Sequence, residues 1–162
     1  MGFPEVGTVA PDFESQTDAG DAIKLSDYKG KTVVLYFYPK ADTPGCTKQA
    51  CNFRDNYGAF EERDVAVLGV SYDTVAEQKA FKDKFALPFT LIADPDHKIG
   101  DLYGVWDDHE ITTKSGNVRN FTGIYRSTLI IDSDGKVIDS RWGVDPTSDT
   151  QAVLDILDSS GK

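Results

Sequence analysis

Thr32-Val33-Val34-Leu35-Tyr36-Phe37-Tyr38-Pro39-Lys40-Ala41-Asp42-Thr43-Pro44-Gly45-Cys46-Thr47-Lys48-Gln49-Ala50-Cys51-Asn52-Phe53-Arg54 is the stretch from which the fold can be worked out. Its first seven residues are β-branched or aromatic apart from Leu35, a run that reads as a strand buried on both faces. Pro39 ends the strand, because proline has no N–H for a sheet ladder. Thr43 and Pro44 then combine a helix N-cap residue with a proline suited to the first helical position. In that register Cys46 is the third helical residue, inside the first turn.

A thiol there has two physical reasons to react. The free amides and the macrodipole of a helix N-terminus favour thiolate over thiol, and the same amides face whatever the sulfur attacks. Gly45 allows close backbone approach beside it. The alternative is a small buried apolar cysteine, inert like most free cysteines. Cys51, five positions on, is the only other cysteine.

Working outward, 162 residues suit one domain over 1–162, and 40% hydrophobic with 27% charged residues is ordinary globular composition. The net charge is −10, and 21 of the 27 acids are aspartate. That balance argues against a nucleic-acid surface, which needs clustered Lys and Arg, and has the wrong sign for an anionic membrane. No stretch approaches membrane-span length. Met1-Gly2-Phe3-Pro4-Glu5-Val6 lacks the basic and apolar regions of a signal peptide, so a cytoplasmic location is expected, where a cysteine pair is more often catalytic than structural.

Residues 1–31 hold two short strand candidates, around Phe13 and Ile23, joined by the turn signal Asp18-Ala19-Gly20-Asp21 into a hairpin covering a sheet edge. The helix after Cys46 is expected to run to about Phe60. Val65–Ser71 reads as a strand, and Asp73 or Thr74 can cap a helix with Val75, Ala76, Ala80, Phe81 and Phe85 as its apolar positions. A strand Phe89–Ala93 and a short helix near His97–Tyr103 follow. Residues 104–122 are polar and glycine-containing and are expected to form a long loop. Ser127–Ile131 and Val137–Trp142 flank the turn Asp132-Ser133-Asp134-Gly135, and a helix over Thr150–Leu157 closes the chain. This order predicts an α/β fold with a mixed sheet flanked by helices.

Two cysteines and two histidines, His97 and His109, lack zinc-site spacing, so no metal is expected and both histidines are assigned to the surface. No glycine-rich phosphate loop indicates a nucleotide cofactor, and none of any kind is expected. A disulfide reductase of the Cys-x-x-Cys type is excluded by the four residues between the cysteines. Thr43 has a cap role in competition with a catalytic one. Arg126 enters a buried strand, costly for a cation unless an anion meets it, and an aspartate could serve. Arg54 lies about 12 Å up the helix axis from Cys46 and is read as structural.

Pro39-x-x-x-Thr43-x-x-Cys46 resembles the active-site signature of the peroxiredoxins, thiol peroxidases on a thioredoxin-type fold. Thr43-Pro44-Gly45-Cys46-Thr47 with Cys51 is similar to the bacterioferritin-comigratory-protein or peroxiredoxin Q branch. Ordered matches continue from Ala10-Pro11-Asp12-Phe13 through Gly69-Val70-Ser71 and Pro88-Phe89 to Arg126-Ser127-Thr128. The resemblance implies a thioredoxin-like fold with an N-terminal β-hairpin extension. It implies that Cys46 attacks a hydroperoxide, that Cys51 condenses with the sulfenic acid, and that a thioredoxin-like protein resets the pair. Thr43 would contact thiolate and peroxide, Pro39 would shield the pocket, and Arg126 would meet the thiolate. A monomer or weak dimer is implied as well.

Ionisation alone cannot supply the rate. Lowering a thiol from about 8.5 to about 6 raises its anion fraction at neutral pH roughly thirtyfold. A Brønsted slope near 0.4 makes that anion about tenfold less nucleophilic, leaving about threefold. Donors that hold the O–O bond must provide the rest, and Thr43, the Cys46 amide and Arg126 are the candidates. A redox-sensing interaction module or holdase without turnover is the competing reading.

Overall fold

The computed structural model describes residues 3–112 and 115–159. In chain order the elements are β1 (Glu14–Thr17), β2 (Ala22–Lys24), β3 (Thr32–Phe37), α1 (Pro44–Asp55), α2 (Tyr57–Glu62), β4 (Val65–Ser71) and α3 (Val75–Phe85). There follow β5 (Thr90–Ala93), α4 (Lys98–Tyr103), β6 (Trp106–Thr112), β7 (Val118–Ile124), β8 (Ser127–Ile131), β9 (Val137–Arg141) and α5 (Asp149–Ser159). Seven strands form one mixed sheet in the order β2-β1-β5-β4-β3-β8-β9. The pairs β3–β4 and β4–β5 are parallel, and the rest are antiparallel.

The central position of β3 follows from its sequence, since all six residues are buried. Val33, Leu35 and Phe37 face a core completed by Ile99 and Tyr103 of α4, with Val105 and Phe13. Val34 and Tyr36 face the opposite core, with Cys46, Ala50 and Phe53 of α1, Phe60 of α2, Phe81 of α3 and Val153 and Leu157 of α5. This period-two split carries helices on both sides of the sheet. Phe53 anchors α1 there: its ring lies 4.8 Å from Tyr36, 5.6 Å from Phe60 and 6.2 Å from Phe89. The N-terminal hairpin occupies an edge, with β1 pairing to β5.

Two boundaries differ from the sequence expectation, and the structure also decides between Asp73 and Thr74 as the cap of α3. The helix after Cys46 does not run unbroken to Phe60 but stops at Asn56 (φ −108°, ψ 11°) before α2 begins. The Asn56 side-chain amide donates to the Asn52 carbonyl at 2.8 Å, competing with helical continuation. Thr74, not Asp73, caps α3: its hydroxyl accepts from the Glu77 amide at 3.2 Å while the Glu77 carboxylate accepts from the Thr74 amide at 2.9 Å. Residues 104–122 are not a loop. Most of them form the antiparallel ribbon β6–β7, with Trp106 opposite Ile124 and His109 opposite Phe121. The ribbon stands apart from the main sheet, so it needs no apolar face along its length, and Val105 and Ile124 bury its base. Among the described residues no helix is long and apolar enough to cross a membrane.

Candidate active site

The loop from β3 to α1 is pinned from below. Asp73, buried beyond β4, accepts the Ala41 amide at 2.7 Å, and Asp42 turns the chain at φ 60°. Pro39 is half-buried at the start of this loop. Thr43 takes the N-cap position with extended dihedrals, and its carbonyl receives the Thr47 amide at 2.8 Å. Its hydroxyl, however, makes no capping bond to α1. It donates instead to the Lys40 carbonyl at 2.8 Å, because the turn brings that acceptor three residues upstream within reach.

Pro44 and Gly45 are the first two helical residues, so Cys46 is the third, as the register predicted. Its side chain is 1% exposed. Arg126, half-buried in the short link between β7 and β8, donates from Nη2 to the Cys46 sulfur at 3.4 Å. Its Nη1 donates to the Gln49 Oε1 at 2.8 Å. The guanidinium fits tightly against the helix mouth: a Cβ on Gly45 would stand 3.0 Å from Nη2 and 3.7 Å from Pro146. A side chain on Gly45 would thus crowd the Arg126 guanidinium, although the backbone there has no positive φ that would demand glycine.

Cys51 lies five residues further along the same helix, half-buried, and both thiols are free. Arg54 donates to the Phe85 carbonyl at 2.8 Å and to Asp55 at 3.0 Å, which gives it a structural place away from Cys46. Neither histidine is fully at the surface: His97 is half-buried, stacked on Trp106 and bonded to Asp101 at 2.9 Å. His109 is half-buried too, with Nε2 2.9 Å from the Val105 carbonyl and 3.0 Å from that of Gly123, two acceptors that place the proton on this nitrogen.

Two buried polar residues escaped the sequence reading. Gln49 follows Cys46 by three residues, hence on the same helix face, and that spacing was the available signal. Its Nε2 donates to Asp149 Oδ2 at 3.1 Å. Nothing in the sequence ties Asp149 to α1 across 100 residues. Burial pushes the Asp149 carboxyl up, against the hydrogen bonds from Thr128 and Gln49 and the charges of Arg141 and Arg126. Burial also drives the Tyr36 phenol well up, and the neighbouring Tyr38 and Cys46 charges add to it, so Tyr36 is neutral at the floor of the site.

A thiol in the first turn of a helix with an arginine on its sulfur suits thiolate chemistry, and comparison with known proteins decides the kinship. Residues 6–140 match the AhpC/TSA family model. The chain belongs to that family. Peroxiredoxin Bcp of Bacillus subtilis is 46% identical over 138 residues, covering 85% of this chain and 84% of the relative. Peroxiredoxin Bcp of Escherichia coli K12 is 41% identical over 133 residues, 82% of each chain. Among solved structures, a cysteine-to-serine mutant of Xylella fastidiosa PrxQ superposes with TM-score 0.87 at 26% identity, covering 98% of both chains. The Xanthomonas campestris bacterioferritin comigratory protein gives 0.82 at 28%, covering 93% of this chain and 92% of its own. The fold is therefore thioredoxin-like, and the chain is a thiol-dependent peroxidase of the Bcp, or PrxQ, branch of the peroxiredoxins.

Proposed function

We propose that Cys46 is the nucleophile of this peroxidase and Cys51 its resolving partner. The Cys46 thiolate attacks one oxygen of a hydrogen or organic hydroperoxide. The O–O bond breaks, the departing oxygen takes a proton as water or alcohol, and Cys46 becomes a sulfenic acid. The Cys51 thiolate then attacks that sulfur, water leaves, and a disulfide closes. A dithiol protein of thioredoxin type reduces the disulfide, as a partner in the cytoplasm to a chain acting as a monomer or weak dimer. Arg126 holds the attacked oxygen and the developing charge alongside the Cys46 amide. Thr43, whose hydroxyl proton is committed to Lys40, offers the peroxide a lone pair as acceptor. Pro39 screens the thiolate from water.

The observation that carries this reading is the 3.4 Å approach of Arg126 Nη2 to a sulfur in the first turn of α1. The test is peroxide consumption with a thioredoxin system, wild type against Cys46→Ser. Multiple turnovers by wild type and none by the variant are expected. Wild-type protein that reacts once and stops would make it a redox sensor instead.

A further inference from the structure

Arg126 reaches Cys46 as the last link of a longer polar chain. Asp149, the first residue of α5, is 2% exposed and Gln49 is fully buried. Asp149 Oδ2 accepts from Gln49 Nε2 at 3.1 Å and from Thr128 Oγ1 at 2.8 Å. Gln49 Oε1 accepts from Arg126 Nη1, and Arg126 Nη2 meets the sulfur. Four elements thus meet in one line: α5, α1, the strand β8 that carries Thr128, and the link before it.

We infer that Asp149 is a positioning residue for peroxide reduction, fixing the orientation of the Gln49 amide and through it the guanidinium on Cys46. This inference rests on Cys46 being the nucleophile.

The logic is one of donors and acceptors. A guanidinium can only donate, and an ionised carboxylate can only accept. An amide between them has a single orientation that satisfies both, Oε1 to Arg126 and Nε2 to Asp149. Without the carboxylate the two amide orientations lose their distinction on one side, and the buried Nε2 has no acceptor there. Arg126 Nη1 then lacks a fixed partner, and Nη2 is free to swing off the sulfur. The free amides at the start of α5 favour a carboxylate at this position, as do the two donors on Oδ2. The charged groups acting on it are Arg126 and Arg141, and the neutral phenol of Tyr36 lies within range of both Asp149 and Cys46. Its other oxygen, Oδ1, is buried without a hydrogen-bond partner among the described residues, so the hydrogen bonds of the carboxylate come from Gln49 and Thr128.

The experiment uses the full chain in a Cys51→Ala background, so that a single thiol is read. Stopped-flow measures reaction of Cys46 with hydrogen peroxide, and iodoacetamide alkylation is followed across pH. Asp149→Ala is expected to slow peroxide reaction about tenfold, the scale of coupling within one hydrogen-bonded network, and to move the alkylation profile to higher pH. Asp149→Asn keeps a carbonyl oxygen for the same two donors and should recover to within about threefold of the parent. In an Arg126→Met background Asp149→Ala should add less than about twofold, because its effect passes through Arg126. A parent-like rate and profile for Asp149→Ala, or a full loss persisting without Arg126, overturns the assignment.

A second pair covers the case in which Asp149→Ala does not fold. Gln49→Glu sets two carboxylates together and should lose activity; adding Asp149→Asn supplies an N–H donor and should restore it. Absence of that rescue overturns the assignment too. If the parent's Cys46 itself fails to react with peroxide, the proposed function falls first. If it reacts and Asp149→Ala reacts equally, only the role of Asp149 falls.

Discussion

Closing a Cys46–Cys51 disulfide has to dismantle the first half of α1. Five residues of regular helix separate the two by 500° and about 7.5 Å of rise, which sets their Cα atoms about 8.7 Å apart on opposite sides of the axis. A disulfide spans roughly 4.4–6.8 Å, so none forms across the intact helix. Unwinding from Cys46 through Cys51 severs the bonds of Gln49 to Asp149 and to Arg126, and that of Arg126 to the sulfur. It also strains the tether of Asn52 to the Pro146 and Thr147 carbonyls. At about 1 kcal/mol each, three to four such bonds sum to ~3–4 kcal/mol. Amide exchange over residues 44–54 should therefore be roughly a hundredfold to a thousandfold faster in the oxidised protein, with a weaker far-ultraviolet helical signal. The assay is hydrogen–deuterium exchange on reduced protein and on a sample whose disulfide is confirmed by mass. Unchanged exchange in the bonded sample would refute the coupling of redox state to helix unwinding.

Cys46→Ser should abolish peroxidase turnover, and activity above a few per cent of wild type in a coupled assay would remove Cys46 as the nucleophile. Cys51→Ala should consume one equivalent of peroxide and stall as the sulfenic acid, which a second equivalent then converts to sulfinic acid detectable by mass spectrometry; normal turnover with thioredoxin would take Cys51 out of the cycle. Arg126→Met should lower the peroxide rate about a hundredfold, the scale of losing one oxyanion donor. Recovery of the wild-type plateau at high pH would show that Arg126 acts on ionisation alone. Gly69→Ala should destabilise by about 1–3 kcal/mol in urea, since its Cβ would stand 2.9 Å from the Tyr36 ring and hydroxyl. Thr74→Ala should remove about 1 kcal/mol at neutral pH. The Thr74 bonds hold the Glu77 carboxyl below its ordinary 4.5, so their stabilisation is full above that pH and is lost as pH falls through the depressed folded value. The difference between wild type and Thr74→Ala should accordingly shrink in acid denaturation curves.

What the sequence disclosed was local in character. A run of β-branched and aromatic residues, a proline stop and a Thr-Pro helix start lie within 13 residues, and together they set Cys46 at the helix mouth. The arginine 80 residues away was reachable only through the family resemblance, since burial of a cation alone left an aspartate as its partner; it lies half-buried in the link before β8 and not in a buried strand. Asp149 was not reachable, since 21 aspartates look alike until the fold buries four of them and sets this one against Gln49. The ribbon β6–β7 was hidden for a different reason. Strand patterns betray themselves by burying one face, and a two-stranded ribbon standing apart from the sheet has little to bury. His109 was misassigned with it, because its carbonyl partners exist only once the ribbon pairs. The break at Asn56 falls where a short polar side chain competes with the backbone, a local contest that the apolar period does not register.

The ring cluster around Phe53 bears on how quickly the site is restored. The early turns of α1 are tied to their surroundings by amides and a guanidinium, groups that can exchange their partners for water, whereas Phe53 is held among Tyr36, Phe60 and Phe89. A helix melting from its N-terminal end meets that anchor and stops, leaving its last turn formed. The slow step in making a helix is nucleation of the first turn, and the Phe53 anchor should preserve that nucleus through the oxidised state. Once the disulfide is reduced, regrowth from Phe53 back to Pro44 is propagation only, on the order of nanoseconds per residue. The pocket around Cys46 should then be rebuilt before another protein or peroxide molecule arrives by diffusion, so that the proposed cycle would wait on its partners and not on its own refolding.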